Sequence, residues 1–248
     1  MTIKIDKNIK EKIVLALDVN TIDEAKKLIV ELKEYVGVFK VGLQLYTKSG
    51  NDIIKFMNDE NIKYFLDVKL HDIPNTVKEA SKNIIESGAS FFNVHTLGGY
   101  KMMNEAVNAA NEAYFKKTNQ NRVKPVVLGV TILTSINDEV LNNEFQIANK
   151  SENLVITLAK LAKEAGLTGV VASPLEVKKI KEACGNEFKV LCPGIRPSFA
   201  ATNDQKRIST PKEAIKNGAD YIVLGRAITK EENKIEVIEK IYKEILND

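Results

Sequence analysis

Short apolar runs recur along the whole chain, and each is separated from the next by a stretch with a polar face. Eight such runs are rich in β-branched or aromatic residues, as are strands that are buried on both faces. They lie at residues 14–19, 38–42, 64–70, 91–95, 126–133, 169–173, 189–195 and 221–226. Strict alternation of such runs with helices predicts a parallel sheet.

The intervening stretches have the periodicity of amphipathic helices. Thr21 with Glu24 three residues later predicts a helix start, and the glycines within residues 86–90, 164–168 and 216–220 predict helix ends that lead into strands. The predicted helices span residues 22–35, 49–60, 74–87, 99–114, 151–165, 175–184, 211–217 and 234–246. Eight repeats of this unit predict an α/β fold, a single (β/α)8 TIM barrel, in which residues 1–248 form one domain.

Composition and charge exclude several classes of function. The net charge of +3 is small and no basic block occurs, so we expect no nucleic-acid partner. The first residues lack an apolar signal region and no run of 18 apolar residues occurs, so we expect a cytoplasmic protein without membrane contact. Cys184 and Cys192 do not have metal-ligand spacing, and His71 and His95 complete no cluster around them. We therefore expect no metal site and no disulfide framework.

Residues 65–76, FLDVKLHDIPNT, concentrate charge at the end of the third predicted strand. Asp67 and Lys69 are two residues apart and should share a face of the strand, whereas Asp72 follows the strand. Carboxylates on both sides of Lys69 favour its ammonium form, which suits a proton donor better than a nucleophilic amine. The alternative is an ion pair on the protein surface.

Other polar residues lie near the ends of the predicted strands. Barrels of this type carry their chemistry at the carboxyl ends of the strands, so these side chains should converge on one pocket. Charges at the ends of apolar runs are unfavourable in a folding core, which supports a functional role. The residues are Asp18, Lys40, Asp67, Lys69, Asp72, His95, Thr131, Thr134, Arg196 and Arg226.

The last two strands are followed by loops suited to an anion. PGIRP contains Gly194 and Arg196, and LGRAIT contains Gly225 and Arg226. Glycine allows backbone N–H groups to approach an anion, and arginine adds charge-assisted hydrogen bonds. Since barrels often bind phosphate after strands 7 and 8, we expect a phosphorylated ligand. The polar loop at residues 196–207 is long enough to act as a lid.

These motifs together resemble the orotidine 5′-phosphate decarboxylase family, and the resemblance extends over nearly the whole chain. The matching segments are LALDV, FKVG, FLDVKLHDIPNT, NVHTLGG, GVTILTS, PGIRP, NDQKR and VLGRAIT. The resemblance, which is to the bacterial branch, implies a barrel enzyme that decarboxylates orotidine 5′-phosphate to UMP in pyrimidine synthesis. It also implies a homodimer that needs no cofactor.

The resemblance further implies roles for individual residues. Lys69 would protonate C6 of the pyrimidine, with Asp67 beside the substrate carboxylate, and Asp72 and Thr76 would complete the active site of the neighbouring subunit. It implies that Asp18 and Lys40 bind the ribose and that Thr134 binds the pyrimidine. The residues that it implies for binding the phosphate are Arg196, Gln205, Gly225 and Arg226. It gives His71 no part in proton transfer, so we expect a structural hydrogen-bonding role for His71 and a packed position at a strand end for His95.

The residue types also fit this chemistry independently of the resemblance. Loss of CO₂ from an sp² ring carbon leaves a carbanion that no adjacent π system delocalises, and the sequence has no signature of a cofactor that would act as an electron sink. A fixed ammonium can stabilise such a charge and then deliver the proton. Two alternatives stay open: a Mg²⁺-dependent sugar-phosphate synthase or keto acid decarboxylase of the same barrel group, and a non-catalytic nucleotide-binding barrel.

Overall fold

The computed structural model describes residues 5–116, 123–200 and 209–246. Eight parallel strands close into a barrel in chain order, and β8 pairs with β1. The strands are β1 (Ile13–Ala16), β2 (Val38–Gly42), β3 (Tyr64–Leu70), β4 (Phe91–His95), β5 (Val126–Val130), β6 (Gly169–Val171), β7 (Lys189–Cys192) and β8 (Tyr221–Leu224). This confirms the predicted (β/α)8 TIM barrel.

Helices lie between the strands and cover the outside of the barrel. Short 3₁₀ turns at Thr96–Gly98 and Pro174–Glu176 precede two of them. The helices are α1 (Lys7–Lys12), α2 (Ile22–Leu32), α3 (Leu43–Ser49), α4 (Asn51–Asp59), α5 (Pro74–Glu86), α6 (Gly99–Lys116), α7 (Asp138–Asn143), α8 (Ser151–Glu164), α9 (Val177–Cys184), α10 (Pro211–Lys216), α11 (Arg226–Thr229) and α12 (Lys234–Leu246).

The core has two layers, because strand side chains alternate between the two faces of the sheet. One layer fills the barrel interior and includes Val14, Val38, Phe65, Phe91, Leu128 and Leu191. The larger layer lies between the sheet and the helices. Inside the barrel, Phe91 packs edge-on against Tyr221, with 5.1 Å between ring centroids, and 6.2 Å from Phe65. These rings form the floor beneath the carboxyl ends of the strands.

Several predicted boundaries were wrong, and most errors fall at the carboxyl ends of strands. The first, fifth, sixth, seventh and eighth strands end two or three residues earlier than predicted. Apolar side chains after β5, such as Ile132, are buried in loops without pairing in the sheet, and hydrophobicity does not distinguish the two situations. The predicted helix at 49–60 corresponds to α4, and the sequence did not predict α3, which ends just before Gly50 with its φ of +51°.

The predicted helix ends are confirmed at three glycines. Gly88, Gly166 and Gly218 have φ of +105°, +88° and +102°, the left-handed region that residues with a Cβ rarely adopt. In the described part of the chain, no helix is both long enough and apolar enough to cross a membrane.

Candidate active site

The central strand of the site, β3, is irregular at its carboxyl end. Leu66 pairs with Phe92 of β4 and Leu70 pairs with Val94, so three residues of β3 lie opposite one residue of β4. Lys69 has φ +50°, an unusual conformation for a residue with a side chain. The bulge turns Lys69 back towards Asp67, and its Nζ donates a hydrogen bond to Asp67 Oδ1 at 2.7 Å.

Asp67 is the centre of a chain of alternating charges. Its Oδ2 lies 3.4 Å from Lys40 Nζ, and Lys40 Nζ lies 3.2 Å from Asp18 Oδ1. Lys40 is 8% exposed, so its charge depends on these two carboxylates for compensation. The order of charges is therefore Asp18, Lys40, Asp67, Lys69, and adjacent members attract one another.

Sequence reasoning did not identify Asn93, the fifth member of this group. Its side-chain Nδ2 donates to Asp67 Oδ1 at 2.7 Å, and its Oδ1 accepts a hydrogen bond from the backbone N–H of Lys69 at 2.8 Å. Asn93 is 1% exposed. The available signal was an amide within the apolar strand FFNVH, because a buried polar side chain requires hydrogen-bond partners.

Opposing effects act on the ionisation of Asp67. Burial, the largest single effect, favours the neutral acid and pushes its pKa upward, whereas the positive charges of Lys40 and Lys69 push it downward. Hydrogen bonds from Lys69 and Asn93 act in the same direction as these charges, so the pKa of Asp67 lies below its usual range. Asp67 is an anion at neutral pH, and it restrains two ammonium groups at once.

Asp72 and Thr76 do not join this group within one chain. Asp72 is exposed, and its Oδ1 accepts a hydrogen bond from the backbone N–H of Ile73 at 2.7 Å. Thr76 is exposed in the first turn of α5. No ion pair joins Asp72 to Lys69 in the described ranges. The expectation of a lysine between two carboxylates was therefore wrong for a single chain, where one carboxylate instead lies between two lysines.

A cavity of about 230 Å³ opens beside the charged group at the carboxyl ends of the strands. Lys40, Asp67, Lys69 and Thr134 contribute its polar lining. Its apolar wall is formed by Phe65, Val130, Ile132, Leu133, Val171, Ala172, Leu191, Pro193 and Val223. Thr131, predicted to face the same pocket, is instead buried and donates to the carbonyl oxygen of Val171 at 3.0 Å.

The residues predicted to bind phosphate lie around β7 and β8. Arg226 is exposed at the start of α11, directly after Gly225, and it borders a second cavity of about 810 Å³ together with Asp18. Arg196 is half-buried, and its backbone N–H donates to the carbonyl oxygen of Ser209 at 3.0 Å. Since Asp18 contacts Lys40, the second cavity is adjacent to the first. Gln205 and most of the predicted lid lie outside the described residues.

Two histidines stack near Lys69. The rings of His71 and His95 are 5.3 Å apart with an angle of 21° between their planes. Burial lowers the pKa of His95, and the nearby His71 and Lys69 lower it further, so His95 is neutral at pH 7. In the described ranges, no three His, Cys, Asp or Glu side chains are grouped as a metal site would require.

Comparison with known proteins identifies the family of this chain. Residues 11–241 match the model of the Orotidine 5'-phosphate decarboxylase / HUMPS family. The chain is 47% identical over 237 residues to orotidine 5'-phosphate decarboxylase of Geotalea daltonii, covering 96% of this chain and 97% of the relative. It is also 47% identical over 236 residues to the enzyme of that name from Syntrophotalea carbinolica, covering 95% of each chain.

A solved structure agrees with this assignment. The crystal structure of orotidine 5'-phosphate decarboxylase from Lactobacillus acidophilus is 37% identical to this chain, with a TM-score of 0.82. The match covers 94% of this chain and 98% of that one. The matched region contains all eight strands of the barrel together with Asp18, Lys40, Asp67 and Lys69. The chain belongs to the Orotidine 5'-phosphate decarboxylase / HUMPS family.

Proposed function

We propose that this protein decarboxylates orotidine 5′-phosphate to UMP without a cofactor, and that Lys69 protonates C6 of the pyrimidine. The observation that carries the proposal is the Lys69 ammonium, which lies 2.7 Å from Asp67 at the edge of a cavity with an apolar wall. The names of the two bacterial relatives described above support the same reaction.

The chemistry requires a fixed positive charge near the reacting carbon. As CO₂ leaves, the electron pair of the C–C bond stays on C6, in the plane of the ring. An ammonium already held in place stabilises this charge without reorganisation, and the apolar wall of the cavity strengthens the attraction by excluding water. Lys69 then transfers a proton to C6, and its amine is reprotonated from solvent before the next turnover. Asp67 restrains Lys69 and faces the region where the substrate carboxylate would lie.

Binding remote from C6 would supply part of the catalysis. A rate acceleration of 10¹⁷-fold corresponds to about 23 kcal/mol, more than one ammonium can provide. In this proposal Asp18 and Lys40 bind the ribose and Thr134 binds the pyrimidine. Arg196, Gln205, Gly225 and Arg226 bind the phosphate. The exposure of Arg226 beside a cavity that it shares with Asp18 supports this arrangement. Orotidine, which lacks the phosphate, should therefore be turned over far more slowly than its 5′-phosphate.

A Mg²⁺-dependent reaction is the main alternative, because the description of the family model names HUMPS beside orotidine 5'-phosphate decarboxylase. A divalent cation requires carboxylates that are free to bind it. Asp67 already has two ammonium groups within 3.4 Å, and a cation placed there would be repelled by both. A non-catalytic nucleotide-binding barrel would have no use for a buried array of this kind, which costs desolvation energy.

We also propose a homodimer in which Asp72 and Thr76 complete the active site of the partner. Both residues are exposed, and the intervening Ile73 is 68% exposed, which is unusual for a large apolar side chain on a monomer surface. Mixing a Lys69→Ala chain with an Asp72→Ala chain tests this directly. A hybrid dimer should regain one site with both residues intact, and therefore measurable turnover. Absence of any recovery in verified hybrid dimers would disprove the shared site.

The decisive assay follows the ultraviolet absorbance of orotidine 5′-phosphate in excess EDTA. The parent enzyme should turn over, and Lys69→Ala should lose at least about 10⁴-fold in kcat, because it removes both the charge and the proton. Lys189→Ala is the matched control, since Lys189 is also a half-exposed lysine that pairs with an aspartate, but far from the cavity. No turnover by folded parent would refute the proposed reaction, and activity restored only by Mg²⁺ would favour the alternative.

A further inference from the structure

We propose that Asn93 is a positioning residue for the proton donor of this enzyme. It contacts both halves of the catalytic pair: the backbone of Lys69 and the carboxylate of Asp67. This inference rests on the proposed function, and it assigns a task to a side chain that is not itself ionisable. Asn93 acts through Lys69 and Asp67, and this role requires no contact between Asn93 and the substrate.

The bulge in β3 places the backbone N–H of Lys69 outside the regular ladder between β3 and β4. The ladder is interrupted between Leu66 and Leu70, where Asn93 is the single residue of β4 opposite the bulge. The side-chain Oδ1 of Asn93 accepts a hydrogen bond from the Lys69 N–H at 2.8 Å. Asn93 thus stabilises Lys69 in its left-handed conformation.

Asn93 also controls the direction of the Lys69 side chain. Asp67 Oδ1 accepts two hydrogen bonds at 2.7 Å, one from Lys69 Nζ and one from Asn93 Nδ2. The orientation of the Asn93 amide is determined, because the Lys69 N–H requires an acceptor and the Asp67 carboxylate requires a donor. Asn93 therefore fixes both ends of the lysine: its backbone directly, and its ammonium through Asp67.

The support that Asn93 gives to Lys69 is rigid. Asn93 is 1% exposed and lies within β4, which pairs with β5 along its length. A side chain held by a central strand positions a neighbouring group more accurately than one on a surface loop. Because a small displacement of a reacting group strongly reduces the rate, Asn93 should affect kcat more than KM.

Replacement of Asn93 by leucine tests the inference. Asn93→Leu keeps the branched shape and the number of side-chain heavy atoms but removes both hydrogen bonds. The matched control is Thr96→Val, which removes one buried hydrogen bond, from Thr96 Oγ1 to the carbonyl oxygen of Val130 at 2.8 Å, at the same end of β4 without touching Lys69 or Asp67. We expect Asn93→Leu to lower kcat about 10²-fold with KM little changed, and Thr96→Val to keep the parent kcat.

The pH profile separates a positioning role from a structural one. Loss of the Asn93 hydrogen bond removes one of the interactions that lower the pKa of Asp67, so the acid limb of kcat/KM should move to higher pH in Asn93→Leu. Thr96→Val should leave this limb in place even where its stability falls equally. Parent-like kcat and pH profile in Asn93→Leu would overturn the proposal. If Asn93→Leu does not fold, Asn93→Ser decides by the same measurements.

A readout independent of turnover keeps this inference distinct from the proposed function. Amide hydrogen exchange at Lys69 should be slow in the parent and in Thr96→Val, and should become fast in Asn93→Leu. If the parent lacks decarboxylase activity but shows this pattern, the proposed reaction fails while the support of Lys69 by Asn93 stands. Equal exchange in all three proteins would refute that support whatever the activity.

Discussion

Two aspartates at opposite ends of this barrel each pair with two lysines. Asp67, near the carboxyl end of β3, lies 2.7 Å from Lys69 and 3.4 Å from Lys40. Asp220, just before β8, lies 2.7 Å from Lys181 and 3.1 Å from Lys189. The distances are nearly the same and both groups border a concave surface, so neither pairing nor shape distinguishes them.

The difference lies in the remaining hydrogen bonds of the lysines. Lys181 Nζ donates to the carbonyl oxygens of Asn186 and Phe188 at 2.9 Å each and to Asp220 at 2.7 Å, which uses all three of its N–H bonds. Within the described ranges, Lys69 Nζ donates only to Asp67. A saturated ammonium stabilises the fold, whereas an unsaturated one beside a cavity is free to act on a ligand.

Neutralising each aspartate gives the largest expected effect. Asp67→Asn should lower kcat/KM at least about 10²-fold, because Lys40 and Lys69 lose their shared carboxylate and move apart. Asp220→Asn should keep the parent kcat/KM. It should lose about 3 kcal/mol of unfolding free energy, because it leaves the nearly buried Lys181 without a compensating charge. Steady-state kinetics and urea denaturation of both variants measure these effects. An activity loss in Asp220→Asn equal to that of Asp67→Asn would show that the two clusters do not differ in their roles.

Adding a methyl group near each cluster should give a smaller effect. A Cβ on Gly42 would lie 2.8 Å from Lys40 Nζ and would displace this ammonium, the end of a long side chain, from its position between Asp18 and Asp67. Gly42→Ala should therefore lower kcat/KM about 10-fold with little loss of stability.

Gly218→Ala is the matched change at the other end of the barrel. Its Cβ would lie at an ordinary 3.6 Å from Lys181 Cγ, but φ is +102°. This variant should lose about 1 kcal/mol of unfolding free energy through backbone strain and keep its activity. Loss of activity in Gly218→Ala and loss of stability alone in Gly42→Ala would contradict the distinction between a catalytic and a structural cluster.

Acid titration should give the smallest effect. The pKa of Asp67 is lower in the folded state than in the unfolded chain, so the folded state binds fewer protons and stability rises with pH. The contribution of Asp67 is complete above its unfolded pKa, about 3.9, and is lost as pH falls through the folded value.

Urea denaturation between pH 7 and pH 3 tests this sign. The difference in unfolding free energy between the parent and Asp67→Asn should be constant near neutral pH and should narrow below about pH 4. A difference that widens in acid would mean that burial dominates at Asp67 and that the two lysines do not compensate it.

The fold was predictable from sequence because strand and helix signals are local. The strands at 38–42, 64–70 and 91–95 were predicted with their observed bounds, each being a compact apolar run between polar stretches. The spacing of Asp67 and Lys69 predicted that they lie together, and Asp67 does contact Lys69, but through the bulge at Lys69 and not through regular alternation along the strand.

The rest of the site depends on contacts that no local pattern encodes. Asn93 is distant in sequence from Lys69 and meets it only through a shift in register between β3 and β4. Asp72 is close to Lys69 in sequence, yet the turn before α5 directs it to the surface. The lysine pair around Asp220 joins α9, β7 and the residue before β8, and the sequence offered no signal for it.

The alternation of Asp18, Lys40, Asp67 and Lys69 has a consequence for how a ligand arrives. Two negative and two positive groups in contact cancel at a distance, so this cluster contributes little to the long-range field at the mouth of the barrel. An approaching anion is neither repelled by the carboxylates nor drawn in by the lysines until it is within a screening length of about 8 Å. In the proposed function, capture of the substrate from solution and chemistry in the cavity are thus separate electrostatic tasks, and we propose that the exposed Arg226 performs the first.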